Sequence, residues 1–234
     1  MGITVPSHVL ELGLEELLKY VDRDRYPEDQ YPWGQWSYQK FYETSLDKAA
    51  AWFEQDIAGF IRLLYVRGNP ANFGERSVLA NVTRDEGWFG GQDKPDPEWK
   101  DIPAADLCLD EETYKEVVSA MQETGFWAAD AWYLNHKRNR EYALEKWKND
   151  GYLHMPVLFI GARFDNVCDT VTSRLTEPMR EYCKDLTEVT INAGHWVPQE
   201  KPTEVNAAIA RWLAESVKQH WPGFWSNAHA RHKV

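Results

Sequence analysis

Two apolar segments, "MPVLFIGARFD" at residues 155–165 and "LTEVTIN" at residues 186–192, decide the fold. The first is rich in β-branched and aromatic residues and is bounded by proline and glycine, which is typical of a strand buried on both faces of a parallel sheet. A helical stretch at about 171–183 separates the two strands, and a helix with an apolar stripe is predicted from Pro202 to about His220. The order β-α-β-α predicts two units of a parallel α/β sheet.

The first 150 residues have a different pattern, with helices and a long loop. We predict a mostly helical domain at 1–150, α/β units at 151–220 and a tail at 221–234. The segment 68–109 is rich in Gly, Pro, Asn and Asp and is predicted to be a loop. Four helices are predicted from apolar spacing and from capping residues such as Asp110, at 9–21, 46–66, 111–123 and 126–148.

The composition excludes several classes of function. The chain has 234 residues, 43% of them hydrophobic, and a net charge of −11, so it can bury a core and repels phosphate backbones. We therefore expect no nucleic acid partner. No apolar run is long enough to span a membrane and no secretory leader is evident, which predicts a cytoplasmic location without membrane contact. Cys108, Cys168 and Cys183 are odd in number and lack CxxC spacing, so we expect no disulfide framework and no zinc site. We also expect no other metal and no cofactor.

An aspartate and a histidine follow the two predicted strands. Asp165 lies in the first strand-end loop and His195 in the second, 30 residues later. Functional groups collect at the carboxyl ends of parallel strands, so both side chains are expected at one rim of the sheet. An aspartate bound to imidazole Nδ1 leaves Nε2 free to act as a base. The alternative is a histidine satisfied by local hydrogen bonds and an ordinary turn aspartate.

The segments "PVLFIGARFD" (156–165) and "NAGHWVPQEKPTEVNAAIARWL" (192–213) resemble the C-terminal part of the α/β-hydrolase fold, in particular the soluble epoxide hydrolases. That family carries a helical cap before the last two strands of its sheet. "WSYQKFYE" around Tyr38 and "DAWYLNHKRN" around Tyr133 are similar to the cap segments that supply the family's paired tyrosines. The resemblance implies an incomplete α/β-hydrolase fold, with a helical cap (lid) followed by the last two βα units of a parallel sheet.

The resemblance also implies a reaction, the opening of a small apolar epoxide to a vicinal diol. Tyr38 and Tyr133 would donate protons to the epoxide oxygen, where negative charge develops. In the family an aspartate then attacks the epoxide carbon to form an ester, which water activated by the His195–Asp165 pair hydrolyses. Trp132 and Trp196 are expected in the walls of the substrate pocket.

The family's nucleophile motif is missing from the sequence. A Gly-x-Nuc-x-Gly elbow and a His-Gly-x-Pro loop are both absent. We therefore expect the chain to begin after them, with "ITVP" (3–6) as the stub of the strand before the cap, and the isolated chain to be inactive. Two strands without inner neighbours would leave an edge exposed, which predicts self-association or binding to a complementary N-terminal core chain.

Two other functions stay open at this point. A haloalkane or haloacid dehalogenase of the same fold would also use an aspartate nucleophile, but with indole donors for the halide in place of tyrosines. A non-catalytic fragment acting as a binding module is the third hypothesis. Convergence of Tyr38 and Tyr133 favours the epoxide hydrolase, indole nitrogens facing His195 favour the dehalogenase, and separation of Asp165 from His195 favours the binding module.

Overall fold

The computed structural model describes residues 13–146 and 148–217. The predicted strand stub at 3–6, the start of the first predicted helix and the tail at 221–234 lie outside the described residues. Within the described residues, six α-helices precede the sheet: α1 Leu14–Leu17, α2 Ser37–Phe53, α3 Ile57–Leu64, α4 Glu111–Thr124, α5 Trp127–Ala131 and α6 His136–Lys146. The remaining elements are β1 Leu153–Ala162, α7 Glu177–Tyr182, β2 Cys183–Ile191, α8 Val197–Glu200 and α9 Pro202–Trp212.

Short 3₁₀ turns connect or extend these elements. They comprise Leu18–Tyr20, Gly34–Trp36, Glu54–Asp56, Pro70–Asn72, Val78–Asn81, Pro97–Asp101, Ala104–Asp106, Trp132–Asn135, Asn149–Gly151 and Arg174–Thr176. Four of them lie within residues 68–109, which contain no α-helix or strand, so the prediction of a long loop there is confirmed. The loop is held to the helices, since the Trp52 indole donates to the backbone oxygen of Gln92 at 2.7 Å.

Helix α4 forms as predicted. The Asp110 carboxylate caps its start by accepting from the Thr113 backbone N–H at 2.7 Å, and Gly125, with φ of 67°, follows its end. The prediction of one helix at 46–66 is wrong, because Asp56 leaves helical geometry (φ −147°) and its carboxylate caps a new helix by accepting from the Gly59 N–H. The predicted helix at 126–148 is likewise divided by a 3₁₀ turn, Trp132–Asn135.

The two strands pair in parallel, as predicted, with Val157 opposite Leu186 and Ala162 opposite Ile191. The predicted helix at 171–183 is much shorter. Asp169 accepts from the backbone N–H groups of Val171 and Thr172, and this turn delays the start of α7. The predicted final helix ends as α9, followed by a π-helical turn at Leu213–Val217, and its last residues lie outside the described ones.

Both faces of the sheet are covered. One face packs against α7 through Phe159, Met179 and Cys183, and the other packs against α8 and α9 through residues that include Ile191, Val197 and Val205. The helices before the sheet enclose a separate core that is rich in aromatic rings, such as the stacked pair Phe53–Phe60 with centroids 4.2 Å apart. The fold is therefore helical with a small two-stranded parallel sheet, and no helix of the described residues is long and apolar enough to cross a membrane.

Candidate active site

Asp165 and His195 meet at the rim of the sheet. The Nδ1 atom of His195 lies 2.9 Å from Oδ2 of Asp165, and the other carboxylate oxygen accepts from the backbone N–H groups of Val167 and Cys168 at 3.0 Å each. Asp165 is 8% exposed, whereas the His195 side chain is 28% exposed. A buried carboxylate with three donors orients the imidazole, and the accessible ring can exchange protons with a substrate or water.

The two strand-end loops are bonded to each other, which brings these side chains together. Beyond the last residues of the ladder, the Arg163 N–H donates to the Ile191 oxygen and the Phe164 N–H donates to the Ala193 oxygen, both at 2.9 Å. Ala193 is completely buried. The pairing therefore continues to within one residue of Asp165 and fixes the separation of the two loops.

A glycine contact holds the His195 loop against the helical region. Gly68 and Gly194 pack back to back, and a Cβ atom added to Gly68 would lie 2.3 Å from the Gly194 nitrogen. One oxygen of Glu200 accepts from both glycine N–H groups at 2.9 Å. Close backbone approach explains why neither position carries a side chain.

Trp196 strengthens the same contact. Its indole stacks on Tyr65 with ring centroids 4.5 Å apart, and its N–H donates to the backbone oxygen of Leu64 at 2.6 Å. This indole therefore bonds to the end of α3 and does not point its N–H at His195. Trp132 is 66% exposed, so the described residues do not bury it in a cavity wall. The placement of both tryptophans in a substrate pocket stays a prediction.

The two predicted tyrosines converge. Tyr38 on α2 and Tyr133 on the turn after α5 have ring centroids 5.4 Å apart at an angle of 84°, and their hydroxyl groups interact with each other. Burial raises the pKa of both phenols above the usual value, and that of Tyr38 well above it. Both are therefore protonated at neutral pH. The Gln39 amide donates to the Tyr38 hydroxyl at 3.1 Å, which directs the phenol proton away from Gln39.

Cys168 is the neighbour that the aspartate–histidine pair and the tyrosines share. Its sulfur and the polar atoms of Asp165 and His195 all lie within 4.8 Å of one another. The same thiol interacts electrostatically with both Tyr38 and Tyr133. The thiol is therefore in the same cluster as the aspartate–histidine pair and close enough to both phenols to affect their pKa values.

Asp165, Cys168 and His195 are also close enough to share a metal ion. However, Oδ2 of Asp165 is already bound to the imidazole and Oδ1 to two backbone N–H groups. The donor set is therefore used by hydrogen bonds within the protein, and it does not favour metal binding over the aspartate–histidine pair.

Three residues that contact the tyrosine pair were not predicted from the sequence: Gln39, Tyr42 and Asp130. Tyr42 lies one helical turn after Tyr38, a spacing that places both on one face of α2. Its ring stacks on that of Tyr133, with centroids 5.4 Å apart. His136 is half-buried, its Nε2 atom lies 3.1 Å from the side-chain oxygen of Gln39, and burial lowers its pKa.

A groove of about 630 Å³ lies beside the site, on the face of the sheet that packs against α9. Arg163 and Asn192 from the strand-end loops line it together with Thr187, Glu204 and Trp212. It opens between β2 and α9 and does not include the tyrosines.

Comparisons with known proteins find relatives among the epoxide hydrolases. The chain is 33% identical over 122 residues to "Epoxide hydrolase A" of Mycobacterium tuberculosis, covering 50% of this chain and 34% of that protein. It is 30% identical over 112 residues to "Bifunctional epoxide hydrolase 2" of Mus musculus, covering 46% of this chain and 19% of that protein. No protein-family profile matches.

Solved structures give the same relationship. Epoxide hydrolase A of Mycobacterium thermoresistibile superposes with a TM-score of 0.51 and 25% identity, over 76% of this chain and 51% of that one. An epoxide hydrolase mutant of Vigna radiata has the same fold, with a TM-score of 0.52 and 22% identity, over 82% of this chain and 55% of that one. The chain thus spans about half the length of these structures and a third or less of the curated relatives. It is related in sequence and in fold to the epoxide hydrolases of the α/β-hydrolase superfamily, over that part of their length.

Proposed function

We propose that this chain provides the cap tyrosines and the aspartate–histidine pair of a hydrolase that opens epoxides to vicinal diols. The observation that carries the proposal is the 2.9 Å contact between His195 and Asp165, which the convergence of the Tyr38 and Tyr133 rings supports. In this proposal residues 1–150 form the cap (lid), residues 151–220 supply the last two units of the core, and the substrate is a small apolar epoxide.

Ring opening is the task of the tyrosine pair. A carboxylate nucleophile attacks one epoxide carbon and breaks its bond to oxygen, leaving negative charge on that oxygen. Tyr38 and Tyr133 stabilise this charge by donating hydrogen bonds, and one of them transfers its proton. Burial supports this role, since it keeps both phenols in the protonated, donating form.

Ester hydrolysis is the task of His195 and Asp165. Nε2 of His195 takes a proton from water as the water oxygen attacks the ester carbonyl carbon, and Asp165 stabilises the imidazolium that forms. The bond between the acyl carbon and the substrate oxygen then breaks, and the imidazolium gives its proton to that oxygen, which releases the diol. The carboxylic acid formed loses its proton to the phenolate left by ring opening, which restores both the carboxylate nucleophile and the tyrosine.

The nucleophile must come from another segment, because the 234 residues contain no Gly-x-Nuc-x-Gly elbow. The purified chain alone is therefore expected to form no diol. Combination with the N-terminal core of a related epoxide hydrolase, which carries the elbow, is expected to convert styrene oxide to its diol.

The decisive variant is His195→Gln in that combined enzyme. It is expected to accumulate the ester, detected by mass spectrometry of the core chain, and to stop turnover. His154→Gln is the matched control, because His154 is exposed on β1. Turnover that survives His195→Gln would overturn the proposal.

The dehalogenase alternative depends on indole donors. The indole N–H of Trp196 is bound to Leu64, but that of Trp88 is buried without a partner, and its ring lies 5.9 Å from that of Tyr42. Release of chloride from 1-chlorobutane by the combined enzyme, without diol formation from styrene oxide, would favour this alternative.

The edges of the sheet support the proposal of a complementary chain. Within residues 13–146 and 148–217 each strand has one neighbour, and Met155 on β1 is exposed. We expect the chain alone to self-associate at micromolar concentration, and the N-terminal core to reduce this. A sharp two-state unfolding transition from a monomer would contradict it, as measured by analytical ultracentrifugation and thermal melting.

A further inference from the structure

A second buried carboxyl group lies behind the tyrosine pair. Asp130 on α5 is 6% exposed and lies beside the hydroxyl group of Tyr42, with which its carboxyl group interacts. Its Oδ2 atom is buried and has no hydrogen-bond partner. A buried carboxylate oxygen without a donor costs free energy, so the environment of Asp130 favours the protonated form of its carboxyl group.

Tyr42 connects Asp130 to both proposed donors. Its ring stacks on Tyr133, with centroids 5.4 Å apart and planes at 27°, and meets Tyr38 edge-on at 5.9 Å. The three phenols form one cluster, which we call the tyrosine cluster: Tyr38, Tyr42 and Tyr133. Asp130 binds the member of the cluster that contacts the other two.

A nearby negative charge also favours protonation of Asp130. Glu54, held by the backbone N–H of Phe126 at 2.9 Å, places a negative charge towards Asp130, while Tyr42 and Tyr133 face it from α2 and from the turn after α5. Burial, with a smaller contribution from the charge of Glu54 and against the interaction with Tyr42, raises the pKa of Asp130 to about 7. The carboxyl group therefore changes charge near neutral pH.

We propose that Asp130 is a positioning residue of the tyrosine cluster: its carboxyl group holds Tyr42 against Tyr133, and its charge controls how readily the cluster gives up a proton. A negative Asp130 opposes a second negative charge on Tyr42 or Tyr133. The neutral form removes that opposition, so the phenols become better proton donors as Asp130 gains its proton. The consequence for ring opening rests on the proposed function, whereas the coupling between Asp130 and the phenols does not.

The test is a pH titration of the full chain by NMR, with ¹³C labels in the aspartate carboxyl and tyrosine Cζ positions. One carboxyl resonance is expected to titrate near pH 7 and to be absent in Asp130→Asn. The Tyr42 and Tyr133 resonances should shift with the same midpoint, and their own ionisation should occur about one pH unit lower in Asp130→Asn than in the wild type. An Asp130 that titrates near pH 4, or phenol resonances that do not respond to it, would overturn the proposal.

Two further variants separate this effect from loss of packing. Tyr42→Phe keeps the stacked ring but removes the hydroxyl donor, so the pKa of Asp130 is expected to rise further. An unchanged or lower value would count against the proposal, even if Asp130→Asn did not fold.

Asp47→Asn is the matched control, because Asp47 also bonds across α2 and α5, to the Trp127 indole at 2.8 Å, but on the surface. It should leave the Asp130 titration unchanged. These readouts need no turnover, so the proposal can fail while the proposed function stands, or the reverse.

Discussion

Two buried aspartates, Asp165 at the rim of the sheet and Asp130 in the helical region, differ in the number of donors that surround them. Asp165 has three, two backbone N–H groups and the imidazole of His195. Asp130 has one, the Tyr42 hydroxyl, and an unpartnered oxygen. A loop can turn its backbone N–H groups towards a carboxylate, whereas those within a helix are already bonded. The loop at the rim therefore gives both oxygens of Asp165 hydrogen-bond partners, whereas the helical region leaves one oxygen of Asp130 without a donor.

The largest expected effect comes from Asp165→Asn. The amide cannot hold the imidazole with the proton on Nδ1, so ester hydrolysis in the combined enzyme should fall by about 10⁴-fold. Single-turnover kinetics would measure this loss, and ¹⁵N NMR of His195 in the chain alone would show the change of tautomer. Asp185→Asn, exposed on β2, is the control. A loss of less than tenfold would show that Asp165 is not needed to orient the imidazole of His195, and would contradict the prediction.

Asp130→Asn should change how stability depends on pH. Because the pKa of folded Asp130 is about 7, above the ordinary value of 3.8, its proton stabilises the folded chain at low pH, and this contribution is lost as the pH rises from about 4 through 7. Wild-type stability should therefore fall relative to Asp130→Asn by up to about 1.4 kcal/mol per pH unit in that window. Urea unfolding between pH 4.5 and 8 measures the difference, and parallel curves would contradict it.

Gly68→Ala tests the support of the rim. The added methyl group would lie 2.3 Å from the Gly194 nitrogen, so we expect a loss of about 1–3 kcal/mol in unfolding free energy and displacement of the His195 loop. Gly87→Ala is the control, because its nearest contact would be an ordinary 3.4 Å. Equal effects of the two substitutions in urea unfolding would show that the close approach has no energetic weight.

Among the four substitutions that test the comparison, Trp196→Phe should have the smallest effect. It keeps an aromatic ring beside Tyr65 but removes the hydrogen bond to Leu64, at a cost of about 1 kcal/mol. Trp127→Phe, which removes a surface bond to Asp47, should cost less. Thermal unfolding of both variants checks this order, and the reverse order would show that the Trp196 bond contributes little to holding the loop.

Much of the rim was predictable because its geometry follows from chain order. Parallel strands end at one edge, so the loops containing Asp165 and His195 had to converge, and the structure places the two side chains in contact. The convergence of Tyr38 and Tyr133 followed from the family resemblance of their segments, and the structure brings these rings together as well.

The missed features depend on side chains that compete with the backbone or on contacts between distant segments. Asp56 and Asp169 both bind N–H groups of following residues, which ended one predicted helix and shortened another. The partnership of Asp130 with Tyr42 joins residues 88 positions apart, and no local pattern reports it. The exposure of Trp132 is likewise a tertiary property that helical spacing does not determine.

The single carboxylate oxygen of Glu200 bonds to the backbone of both Gly68 and Gly194. The helices cannot swing away from the sheet at this point without releasing the residue next to His195. Movement of the helical region away from the sheet at this corner would therefore displace the loop that carries His195. In the proposed enzyme, substrate would have to enter from another side of the helical region.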